Sequence, residues 1–144
     1  MHSVREIQLS YRATDVQIED NKITSAECVR DIFADLENAD REKFCVLHLT
    51  SRNRVIGFEV VSIGTLTESL VSPACVLKSA LLNNAKSLVL VHNHPSGETS
   101  PSPSDKTVTR LLINAAKLFD IAIFDHIIIG HDGEFFSFAA NGLM

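Results

Sequence analysis

The sequence predicts a three-layer α/β or α+β sandwich built on a mixed sheet. Short apolar or alternating runs bounded by polar residues read as strands. Segments of helical period lie between those runs, not in a separate block, and intermixed elements of this kind pack as layers around a sheet. The chain has 144 residues and is 45% hydrophobic, which suits one globular domain with a sizeable core.

Taken in order, residues 7–11 (Ile-Gln-Leu-Ser-Tyr) alternate and suggest an N-terminal strand within an extension over about residues 1–22. Thr24 and Ser25 open a helix expected to run to about Asn38, with Cys28, Val29, Ile32, Phe33 and Leu36 on its apolar side. Residues 44–49 form a strand, and Arg52-Asn53-Arg54 turns it into a second over residues 55–62. Ser72-Pro73 starts another helix, to about Asn83. Residues 87–91 are short and apolar, as expected of a buried strand. A third helix follows, with Val108, Leu111, Leu112, Ala115, Leu118 and Phe119 at helical period. Residues 121–129 make the next strand, and His131-Asp132-Gly133 a tight turn into residues 135–138.

The richest segment is His92-Asn93-His94-Pro95-Ser96-Gly97 through Ser102-Pro103-Ser104-Asp105, which reads H-x-H-x7-S-x2-D. Alternate residues of a strand share a face, so His92 and His94 point the same way where the strand ends. Asp105, in the first turn of the next helix, can bend back toward them. Imidazole and carboxylate are ligands of Zn²⁺, and three protein ligands with an open position make a catalytic arrangement. The spacing therefore predicts a hydrolytic zinc centre held by His92, His94 and Asp105. Ser102 and Asp105 also read as a helix start: Ser as N-cap, Pro103 at the first position and an acid at N3. The two readings are compatible, since a capping serine can still turn its hydroxyl toward a site.

The segment resembles the JAMM (MPN+) metalloprotease signature, most closely its RadC-like branch. The similarity rests on the residues just quoted, on Asp125-His126-Ile127-Ile128-Ile129-Gly130 and on Phe136-Ser137-Phe138, and runs from about Ser25 to the C-terminus. It implies the cytidine-deaminase-like architecture of MPN/JAB domains and a zinc hydrolase of peptide or isopeptide bonds. It also implies a glutamate that handles protons, placed near the end of the first helix just ahead of a strand. The matching position is Glu42, with Glu59 the runner-up and Glu98 a third acid in the loop after the histidines. Ser102 is expected to help stabilise the developing oxyanion. One departure is visible: the branch usually has Pro-Arg where this chain has Pro73-Ala74. No helix-hairpin-helix module, which precedes the domain in longer RadC proteins, is expected within residues 1–144.

Asp125-His126 reads as a hydrogen-bonding pair behind the ligands, since polar residues in an apolar strand need partners. His48 and His131 read as strand-edge and turn residues. Cys28, Cys45 and Cys75 lack a CxxC pair and are expected as buried free thiols of a reducing cytoplasm, not zinc ligands. No apolar run is long enough to span a membrane, and no secretory signal is visible. The net charge of −5 disfavours nucleic acid, whose phosphates call for a basic face, and a metal-activated water suits amide hydrolysis, so a polypeptide substrate is expected. A protein-interaction module without catalysis and a DNA-repair accessory role are the alternatives.

Overall fold

The computed structural model describes residues 1–66 and 71–144. Its centre is a five-stranded mixed sheet of order β2-β1-β3-β4-β5, comprising β1 (Lys43–Leu49), β2 (Val55–Ile63), β3 (Ser87–Asn93), β4 (Ala122–Ile129) and β5 (Phe135–Ser137). β1 pairs antiparallel with β2 and with β3, while β3 and β4 run parallel and are joined through α3 (Pro103–Lys117). The fold is the three-layer sandwich that the intermixed pattern predicts.

Alternation along the strands sorts residues onto two faces. Phe44 and Val46 of β1 and Leu88 and Leu90 of β3 pack with Val76, Leu77 and Ala80 of α2 (Pro73–Leu82) and with Val108, Leu112 and Ala116 of α3. Cys45, Leu47, Leu49, Val89 and Val91 pack on the opposite face against Val29 and Ile32 of α1 (Ala26–Ile32). β3 is buried along its whole length, as a central strand covered on both faces must be.

Several expectations change. Residues 7–11 form no strand, and Ile7 stays 82% exposed. Alternation alone does not make a strand; the N-terminal segment meets the start of β2 through Asn21 and Ile23 instead, whose backbone bonds Val55 and Asn53. Tyr11 donates its hydroxyl to Asn83. The first helix ends at Ile32 and continues as a 3₁₀ segment, Ala34–Asn38, which keeps Leu36 buried and lets Glu37 accept the N–H of Gly133. α3 stops at Lys117, before a left-handed turn at Asp120, so Leu118 is 84% exposed and outside the core.

His48 is not at an edge: it is buried in β1 beneath α2, where Asn83 donates to its Nδ1 at 2.9 Å, and burial pulls its pKa down to about 4. All three cysteines are free, but only Cys45 is buried, its thiol pushed up to about 12 by that burial. Cys28 and Cys75 sit in first turns of helices, half-exposed, beside the capping Ser25 and Ser72. Among the described residues no helix is long and apolar enough to cross a membrane.

Candidate metal centre

His92 lies near the carboxyl end of β3 on the face covered by α2 and α3, and His94 is the first residue beyond the strand. The loop that follows is pressed against the end of β4. A Cβ on Gly130 would stand 2.6 Å from the Gly97 carbonyl oxygen, and one on Gly97 would stand 2.6 Å from His131 Nδ1. Gly97 also has φ +86°, a conformation glycine adopts without a steric penalty. The two glycines thus permit a close approach that fixes the loop carrying His94. The loop ends at Ser102, which caps α3 reciprocally. Its hydroxyl accepts the Asp105 N–H at 3.0 Å, and its own N–H donates to Asp105 Oδ2 at 2.8 Å. The cap rotates the Asp105 carboxylate back toward the histidines.

Three donor groups converge there. His92 Nε2 and His94 Nε2 are 3.1 Å apart, and they stand 3.4 Å and 3.2 Å from the two oxygens of Asp105. Ligands at roughly 2.0–2.2 Å from a tetrahedral ion stand about 3.3–3.6 Å from one another, a spacing these groups approach, with each histidine facing a different oxygen of Asp105. His92 and Asp105 are buried, and His94 borders the open side. These three residues could hold a metal ion.

The hydrogen bonds behind the ligands fix which nitrogens face it. Thr109 donates its hydroxyl to the Asp105 carbonyl at 2.7 Å, so toward His126 Nδ1, 2.6 Å away, it must accept. His126 is fully buried, and burial, reinforced by the neighbouring His92, keeps its pKa well below the usual histidine value. A neutral His126 with its proton on Nδ1 presents a bare Nε2, which accepts from His92 Nδ1 at 2.7 Å. His94 Nδ1 is 2.6 Å from the Glu98 carbonyl and donates to it. Both ligands therefore turn Nε2 lone pairs to the same point, the arrangement a metal requires. Replacing His126 by Phe, which suits its stacked place against Phe138, should keep the fold and weaken metal binding by roughly 10–100-fold in a chelator competition. Unchanged affinity would remove His126 from the network.

Charge balance agrees. Burial alone would raise the Asp105 carboxyl, but the adjacent His92 and His94, which donate to it when Nε2 carries a proton, and the N–H of Ser102 hold it well below the ordinary carboxylate range. The hydrogen bond to Asp105 raises His94 above its usual value, with further help from the charge of Glu42. A proton on His94 Nε2 would thus compete with a metal ion there.

Glu42 immediately precedes β1 and shares with His94, Ser102 and Asp105 a cleft of about 470 Å³. Its Oε2 accepts the N–H of Leu66 at 2.9 Å. Glu59 is elsewhere, in mid-β2 opposite Val46, lining grooves with Tyr11. Glu98 is exposed and contributes its carbonyl. The Asp125-His126 pair divides: His126 backs His92, but Asp125 points to the other face and holds the hydroxyl of Ser137 and the N–H of Ala139. The sequence reading missed Thr109; its sole sign is a threonine on the buried stripe of α3, four residues after Asp105.

Comparison with known proteins agrees with this geometry. The chain is 40% identical over 143 residues to the UPF0758 protein YkfG of Escherichia coli, covering 97% of this chain and 90% of that one. It is 42% identical over 109 residues to a UPF0758 protein of Chlorobaculum parvum, covering 76% of this chain and 49% of the relative. A UPF0758 protein of Methanosarcina acetivorans is 49% identical over 104 residues, 72% of this chain and 45% of its own length. The chain thus spans about half the length of several curated relatives and nearly all of YkfG. Residues 23–143 match the model of the RadC-like JAB domain, and with that match over the whole sheet and the converging His92, His94 and Asp105, the chain belongs to the RadC-like JAB domain family.

Proposed function

We propose that the chain is a zinc-dependent hydrolase of peptide or isopeptide bonds. The observation that carries this reading is that His92, His94 and Asp105 converge where Glu42 shares a cleft with His94 and Asp105. His92, His94 and Asp105 would hold the ion. Zinc bound there supplies Lewis acidity and brings the pKa of water down to roughly 7. Glu42 takes the proton of the attacking water and passes it to the leaving amine. Its Oε2 accepts the N–H of Leu66, which orients the carboxylate for this transfer.

Ser102 contributes from the rim. Its oxygen accepts the Asp105 N–H, so its own proton remains to meet the oxyanion of the scissile carbonyl. Ser102→Ala should cost about 1 kcal/mol of stability through the lost cap and on the order of 10²–10³ in turnover. A stability loss with unchanged turnover would leave Ser102 only the cap.

The substrate in this reading is a polypeptide, in keeping with the net charge of −5, and the free thiols suit a cytoplasmic setting. The test begins with elemental analysis of the purified protein, where one zinc per chain is expected. Incubation with peptides and with peptides joined through a lysine ε-amide should then give chelator-sensitive cleavage. Stoichiometric zinc without cleavage of any such bond would favour an interaction module. Submicromolar, salt-sensitive binding of DNA at physiological salt would replace the polypeptide by nucleic acid.

A further inference from the structure

We infer that Asn93, the residue between the two histidines, is a positioning residue that holds Glu42 over the metal centre. The inference rests on the reading of Glu42 as the group that moves protons. Alternation sends the Asn93 side chain to the face opposite His92, away from the cleft, and there it is buried. Both ends of its amide are satisfied. Oδ1 accepts the Lys43 N–H at 2.7 Å, and Nδ2 donates to the Arg41 carbonyl at 3.1 Å. Those two peptide groups flank Glu42.

The need for this clasp follows from where the sheet ends. The ladder between β1 and β3 closes at Phe44 opposite His92, so the chain before it has no backbone partner on β3. A primary amide carries the same donor and acceptor as a peptide group and extends the ladder by one step from the side chain. Two further bonds complete the hold: Gly64 N–H to the Glu42 carbonyl at 2.7 Å, and Leu66 N–H to its carboxylate. One strand end therefore carries both ligand histidines and, between them, the grip on the acid. The distance from Glu42 to the His92–His94 pair is set by a three-residue stretch of backbone, and misplacing such a group by about 1 Å can cost on the order of 10²-fold in rate. Aspartate at 93 would keep the acceptor and lose the donor; alanine would lose both.

Amide hydrogen exchange on the zinc-loaded full chain tests the clasp at its own bonds. In Asn93→Ala the Lys43 and Leu66 amides should exchange at least about tenfold faster, with zinc content and the Leu90 amide unchanged. Asn93→Asp should restore protection at Lys43 and leave Leu66 loosened; it decides the matter alone if the alanine variant does not fold. With a peptide probe that the protein cleaves, kcat should fall roughly 10–10²-fold at unchanged KM. Wild-type exchange at Leu66 in both variants would overturn the role of Asn93. Full cleavage by Glu42→Gln would instead overturn the assignment of Glu42, and the exchange at Lys43 and Leu66 would still judge the clasp.

Discussion

His94→Ala should lose stoichiometric zinc while the protein stays folded. His94 is one of three donors converging within 3.1–3.4 Å of one another, and it stands on the loop after β3, outside both hydrophobic clusters. A site reduced to His92 and Asp105 keeps two ligands, so affinity should fall by more than the roughly 10–100-fold expected when an outer hydrogen-bond partner is lost. Asp105 retains its Ser102 cap and His92, which keeps the helix start in place. Elemental analysis against wild type, with thermal denaturation of both proteins freed of metal, checks the two halves. Unchanged zinc in the folded variant would remove His94 from the ligand set. The wild-type protein should also show a pH dependence of definite sign. His94 has a raised pKa and must give up its proton to bind, whereas Asp105 is already ionised, so zinc affinity should climb as pH rises through the His94 value. An affinity that stayed flat across that range would contradict the competition.

Glu42→Gln should bind zinc and fold like wild type and lose hydrolysis by roughly 10²–10⁴-fold. Glutamine keeps a side-chain carbonyl oxygen to accept the Leu66 N–H, so that contact is retained. It cannot accept and return a proton, so only the chemical step fails. Glu59→Gln is the control, because Glu59 sits in mid-β2 and lines no part of the cleft that holds His94 and Asp105. Loss of activity in Glu59→Gln with retention in Glu42→Gln would reverse the assignment.

Much of this was readable from the residues. The H-x-H-x7-S-x2-D spacing marked His92, His94 and Asp105 because strand alternation, a turn-rich loop and a helix cap are local, and local geometry alone brings those three side chains to one end of β3. The strands and helices of the sandwich were legible for the same reason: each is a run with its own period and its own punctuation. Glu42 was reached through resemblance alone, since an acid fifty residues upstream carries no mark of where the sheet will bring it.

The failures share one cause. Residues 7–11 alternate like a strand, yet they pair with no strand of the sheet. His48 looked like an edge residue because its burial comes from α2, an element that follows it by some twenty-five residues. Asp125 and His126 are neighbours in the chain and serve opposite faces of the sheet. By itself the sequence determined the order and period of the elements and the identity of the donor set, since those depend on bonds and side chains a few residues apart. Only the tertiary structure decided the tautomers of the two histidines, the clasp on Glu42 and which acid shares the cleft. These depend on contacts between β1, β3, β4 and α3, and a buried hydrogen bond selects its partner by position in space, which the order of residues does not record.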